Sequence, residues 1–152
     1  AVPGLVIIHL AGEQDRARAE AAWAAAGVSA EVQGFCHDMP TLYERVDLVL
    51  GRSGATSVAE CCAAGLGAIY IPLPWAAEDH QTANARAVAR VGGAVVISQR
   101  DATPVGLARL LARLATRRDE VARLGERARA LAFPNAADAV AGLVLGLAEG
   151  GA

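Results

Sequence analysis

Short apolar runs alternate along the chain with longer stretches in which apolar residues recur at helical spacing. Leu5–Leu10, Val32–Phe35, Asp47–Leu50, Ala68–Pro72 and Ala94–Ile97 read as strands. Asp15–Ala26, Thr41–Arg45, Thr56–Ala64, Asp79–Val91, Asp119–Leu131 and Asn135–Ala148 read as helices, with one more opening at Pro104 behind a Thr103 cap. Gly27, Gly65 and the Gly92-Gly93 pair stand where helices should stop. The strands are near-continuous apolar runs, not alternating ones, so both faces of the sheet should be covered. Strand–helix alternation then predicts an α/β, Rossmann-like doubly wound parallel sheet. Ligands of such folds sit beyond the carboxyl ends of the strands. That directs attention to residues 11–13, 36–39, 51–60 and 72–84.

Composition narrows the picture. The 152 residues fit one domain, and 54% hydrophobic against 20% charged residues excludes a disordered chain. Aromatics are 4%, so Ala, Val, Leu and Ile must build the core. A net charge of −2 excludes a basic face of the kind nucleic-acid binding needs. No apolar run approaches the roughly 18 residues of a membrane span. Cys61 and Cys62 are neighbours on one helix and poor disulfide partners, so Cys36, Cys61 and Cys62 are expected as reduced thiols in a cytoplasmic protein.

Three segments could carry chemistry. In Gly51-Arg-Ser-Gly-Ala-Thr-Ser-Val-Ala-Glu60 a strand runs through a small-residue turn into a helix. Such a helix N-terminus offers free N–H groups and a positive dipole end to a diphosphate or a sugar hydroxyl. Glu60, about one turn in, could accept two hydrogen bonds from a ribose diol. The competing reading of Ser57-Val-Ala-Glu60 is a capping box, with Ser57 as N-cap. The second segment delivers Asp79, His80, Gln81 and Asn84 to the start of a helix, with groups suited to sugar hydroxyls. Its plainer reading is Asp79 as N-cap followed by solvated residues. The third, Phe35-Cys-His-Asp-Met39, could wall an aromatic base, or be a loop with a buried Phe and Cys. There is no GxGxxG, Walker or GxSxG motif and no metal-ligand spacing, so neither cofactor nor metal is expected. The Arg-rich stretch Arg109–Arg129 reads as the solvated face of helices whose Ala and Leu positions are core.

Taken in order, Asp47–Glu60, Ala64–Pro72 and Asp79–Ala85, with Phe35–Met39 and the Gly92-Gly-Ala94 turn, resemble the carboxyl-terminal half of the MurG family of lipid II-forming N-acetylglucosaminyltransferases. The resemblance covers essentially the whole chain. It implies one half of a GT-B fold, residues 1–152 forming a single UDP-sugar-binding domain. It also implies an inverting hexosyltransferase that moves GlcNAc from UDP-GlcNAc to lipid I in peptidoglycan synthesis, peripheral on the cytoplasmic face of the membrane.

Position by position, the resemblance places the Cys36 backbone at the uracil. Ala55, Thr56, Ser57, Val58, Ala59 and Glu60 would line the donor, with Glu60 on the ribose. His80 and Gln81 would contact GlcNAc hydroxyls, while Arg52 and Asn84 match family positions without an assigned contact. Leu5–Leu10 matches the second strand of the family's domain. The first strand–loop–helix unit is therefore implied to be missing, as is the acceptor domain that takes lipid I and holds the catalytic base. A sheet lacking its central strand would expose two edges and associate with another chain. The alternatives are a noncatalytic nucleotide-sugar-binding or assembly subunit of a split enzyme, and a GT-B enzyme using another UDP- or TDP-sugar.

Overall fold

The computed structural model describes residues 5–75 and 79–149. Five strands and seven helices follow one another as β1 (Ile7–Leu10), α1 (Arg16–Ala25), β2 (Ala30–Gln33), α2 (Met39–Glu44), β3 (Leu48–Gly51), α3 (Ala55–Ala64), β4 (Gly67–Tyr70), α4 (His80–Arg90), β5 (Ala94–Val96), α5 (Pro104–Thr116), α6 (Arg118–Arg129) and α7 (Ala136–Glu149). The expected elements are all present. Most boundaries agree within one or two residues, and β2 begins two residues earlier than expected and ends at Gln33.

The strands form two parallel sheets: β1 with β2, and β3-β4-β5 in that order. Among the described residues neither β1 nor β3 has a strand partner on its second edge. The chain correspondingly divides into two compact units. One comprises Ala1–Val46 with Pro104–Arg118, the other Asp47–Thr103 with Asp119–Ala152.

In the first unit β1 and β2 pair from Ile7↔Ala30 to Leu10↔Gln33, with α1 as the crossover between them. No residue of α1 is buried. The helix is fastened by Trp23, whose Nε1–H donates to His9 Nδ1 on β1 at 3.1 Å, the two rings meeting edge to face. Arg45, the C-cap of α2, reaches back to Glu31 on β2. That guanidinium, with a hydrogen bond from Gln33, holds the Glu31 carboxyl below its usual range. On α5, Leu107, Leu110, Leu111 and Leu114 recur at helical spacing, and Leu114 is fully buried.

The second unit is built around β4, buried along its whole length between β3 and β5. Register runs from Leu48↔Gly67 to Gly51↔Tyr70 on one side and from Ala68↔Ala94 to Tyr70↔Val96 on the other. Cys62, Ala68, Tyr70, Ala85, Val88, Ala94 and Ala128 form the core cluster. Because so many of these are small, backbones approach closely. A Cβ on Gly93 would stand 2.8 Å from the α6 backbone at Ala128, and one on Gly125 would run into the carbonyl of Gly65. Gly65 is also the left-handed residue that ends α3, at φ 70°. The Arg129 guanidinium donates to the last carbonyl of that helix, Ala64 O, at 2.8 Å. The arginines between 109 and 129 are exposed as expected, and Arg129 serves in addition as a cap. Helix α7 is apolar nearly all round, yet none of its described side chains is buried; Leu143 and Leu147 are exposed.

None of the three cysteines is in a disulfide. Cys36 is half-buried, Cys61 and Cys62 are buried, and burial pushes the Cys62 thiol above its usual range. Ellman titration of the native chain should therefore show one fast thiol, with the other two appearing only on unfolding. Three fast thiols under native conditions would mean that the core around α3 is open.

Candidate functional site

The carboxyl end of β3 leads directly into the most developed part of the molecule. After Gly51 the chain turns through Arg52, Ser53 and Gly54 into α3. Gly54 is the N-cap, in extended conformation, with no side-chain cap bond, and its carbonyl accepts from Val58 N at 3.0 Å. This corrects the capping-box reading of the sequence. Ser57 does not cap α3; it lies inside the first turn, and Glu60 lies in the second. A glycine cap brings no side chain to the N–H groups of Ala55, Thr56 and Ser57, so these face outward at the positive end of the helix. The side chains of Ala55, Thr56, Ser57 and Ala59 are exposed, and Glu60 is half-buried. Val58 differs from them: its side chain packs against the core and its N–H is taken by Gly54.

Helix α4 begins at His80, which is exposed, with Asp79 in the N-cap position. The cap expected of Asp79 is not made. Its backbone is left-handed at φ 54°, the only non-glycine positive φ among the described residues, and its carboxylate makes no cap bond. Residues 76–78, between the fourth strand and this turn, lie outside the described residues. Gln81 is half-buried, and its Oε1 accepts from Leu73 N at 3.0 Å. Its acceptor is thus used within the fold.

Two residues without an expected contact turn out to organise these turns. Arg52 Nη1 donates to Ile71 O at 2.9 Å, Pro72 O at 3.3 Å and Gln99 Oε1 at 2.9 Å, which joins the carboxyl ends of β3 and β4 to the segment after β5. Asn84 Nδ2 donates to Ser53 O at 3.1 Å, and Ser53 Oγ donates to Gln81 O at 2.8 Å. Nothing local in the sequence signals Ser53, since its partners lie 28 and 31 residues away.

Cys36 belongs to the first unit. It is half-buried in the turn after β2. Phe35 beside it is 64% exposed, so the loop is not the buried one of the plainer sequence reading. Its ring meets that of His37 edge to face at 4.8 Å. The turn ends on Asp38, whose side chain accepts from Thr41 N at 3.2 Å and caps α2. That contact to Thr41 holds the Asp38 carboxyl below its usual range, so the cap is fully present at neutral pH. Among the described residues no three His, Cys, Asp or Glu side chains gather as metal ligands.

Residues 4–140 match the family described as the glycosyltransferase family 28 C-terminal domain. This chain belongs to that family. Relatives include the UDP-N-acetylglucosamine–N-acetylmuramyl-(pentapeptide) pyrophosphoryl-undecaprenol N-acetylglucosamine transferases of Marinobacter nauticus and Azoarcus sp. The first is 42% identical over 142 residues, 93% of this chain and 39% of the relative. The second is 42% identical over 144 residues, 95% of this chain and 40% of the relative. A crystal structure of Acinetobacter baumannii MurG superposes with a TM-score of 0.85 at 36% identity, over 93% of this chain and 41% of that one. The family 28 chain thus spans about two fifths of the length of the proteins it matches. The fold is that of half a GT-B enzyme, as the sequence pattern and resemblance led us to expect.

Proposed function

We propose that this chain is the donor-binding part of an inverting N-acetylglucosaminyltransferase that converts lipid I to lipid II, and that it holds UDP-GlcNAc across the amino-terminal ends of α3 and α4. The observation that carries the reading is the glycine-capped start of α3. Three outward N–H groups at a positive helix end, with a carboxylate one turn further on, suit a diphosphate and a sugar diol together. In this reading Ala55, Thr56 and Ser57 contact the ligand through backbone, and Glu60 accepts from the ribose hydroxyls. His80 and the Nε2 of Gln81 donate to GlcNAc. The α3 dipole then also favours the charge that builds on UDP as the glycosidic bond to it breaks.

Lipid I and the base that deprotonates its hydroxyl would be held by the part of such an enzyme that lies outside this chain. Support comes from the one-sided strands β1 and β3 and the exposed apolar helix α7, surfaces that the rest of a longer protein or a second chain would cover. The complete enzyme would work on the cytoplasmic face of the membrane. None of the described helices is long and apolar enough to cross one.

Calorimetry with a nucleotide-sugar panel tests the reading. UDP-GlcNAc should bind better than ADP-sugars or TDP-sugars. Equal affinity for ADP-sugars and UDP-GlcNAc would remove the assignment. A clear preference for a different UDP- or TDP-sugar would turn it toward another GT-B enzyme.

A further inference from the structure

The starts of α3 and α4 are tied together below the surface. Ser53 has no exposed surface and is the buried polar side chain among the described residues of the core. It sits immediately before the glycine cap of α3. Through Oγ it donates to Gln81 O, and through its own carbonyl it accepts from Asn84 Nδ2. One residue is thus bonded twice to the first turns of α4. A third bond, Leu73 N to Gln81 Oε1, closes the same corner.

Satisfying buried polar groups does not by itself require this arrangement. Gln81 O lies in the first turn of α4, where it also faces the amide four residues on. An alanine at position 53 would leave no buried hydroxyl to satisfy. What the hydroxyl adds is a fixed relation between two backbones, since a hydrogen bond tolerates little change in length or direction. The two backbones concerned are the ones whose helix starts face the proposed donor.

We propose that Ser53 and Asn84 are positioning residues that set the spacing between the α3 N-terminus and the first turn of α4, and thereby the gain in affinity that the sugar adds to the nucleotide. The inference rests on the donor-binding reading above. A UDP molecule engages only the α3 side. UDP-GlcNAc engages the α3 side and, through His80 and Gln81, the α4 side as well. Only the longer ligand reads the spacing.

The test is a ratio of two dissociation constants, for UDP and for UDP-GlcNAc, measured by calorimetry on the wild-type chain and on Ser53→Ala, Asn84→Ala and Asn84→Asp. Losing one such tie should weaken UDP-GlcNAc about five- to tenfold, the equivalent of one ordinary hydrogen bond, while UDP changes less than about twofold. Asn84→Asp should lose more of the sugar's contribution than Asn84→Ala, because a carboxylate oxygen would then face the Ser53 carbonyl. Unchanged UDP binding certifies that each variant is folded, and the serine and asparagine variants serve as independent readings should one of them fail to fold. Equal weakening of both ligands, which general destabilisation would cause, overturns the proposal; so does a wild-type ratio in all variants. A wild-type chain that binds UDP-GlcNAc no better than UDP would overturn the sugar contacts of the donor reading itself, a result distinguishable from either of those.

Discussion

The purified 152-residue chain is expected to turn over no lipid I, and activity should return when the remaining portion of such an enzyme is supplied in the same polypeptide or as a separate chain. Inverting transfer needs a base within hydrogen-bond reach of the acceptor hydroxyl as it attacks the anomeric carbon. The titratable groups at the proposed donor site are Glu60, Asp79 and His80. The donor reading uses Glu60 on the ribose and His80 on the sugar. Asp79 is the group left, and it stands on a left-handed turn at the edge of α4. No acceptor pocket can be assembled from these residues alone, so the contribution of proximity and orientation, which reaches about 7–11 kcal/mol in favourable cases, is also absent. Product analysis by radiolabelled GlcNAc transfer is the measurement. Turnover by the chain alone would overturn this account and direct the search for a base to Asp79, His80 and His37.

Glu60→Gln is expected to weaken UDP-GlcNAc binding about 10- to 100-fold with little change in melting temperature. A charge-assisted hydrogen bond contributes about 1.5–3 kcal/mol, which corresponds to one to two decades in the dissociation constant. The structure sharpens this expectation. Were Ser57 the N-cap, Glu60 would be the capping-box partner and its loss would cost stability. With Gly54 in that position, Glu60 is half-buried in the second turn and outside any such box. Calorimetry and thermal melting on the same preparation separate the two roles. A variant that melts much earlier yet binds donor normally would show that the carboxylate serves the fold alone.

The apolar runs were sufficient to locate all five strands because each is flanked by a glycine, a proline or a charged turn and is too short to be a helix. Their boundaries were less legible. The β2 strand runs from Ala30, and Gly34-Phe35 already belong to the following turn. The start of α3 was placed within one residue, and the competing capping-box reading fails for a physical reason. A glycine cap carries no side-chain signature, whereas Ser57-Val-Ala-Glu60 imitates a capping box that can equally occur inside a helix. That the strands fall into two sheets was legible only through the family resemblance, which implied a missing central strand, since strand pairing depends on which strands lie side by side and a local pattern does not specify that. The ties of Ser53 and the threefold bonding of Arg52 were invisible for the same reason, because their partners are 19 to 47 residues distant. The residues assigned to ligand contact came mostly from the family resemblance. Local spacing alone left Glu60 balanced between cap and ligand.

The division of the chain has a consequence for its birth on the ribosome. The first unit leaves off at Val46 and is completed by Pro104–Arg118, and the second leaves off at Thr103 and is completed from Asp119 onward. The bond that closes the second unit, from Arg129 to Ala64, spans 65 residues. At bacterial and eukaryotic translation speeds that interval takes roughly 3–13 s. Until α6 emerges, the small-residue surface at Gly65, Gly67 and Gly93 that it later covers stands open on a nascent chain. Neither unit can finish before most of the polypeptide has emerged. The growing chain therefore spends seconds with its sheet uncovered, and its yield in a cell depends on the factors that attend it during that wait.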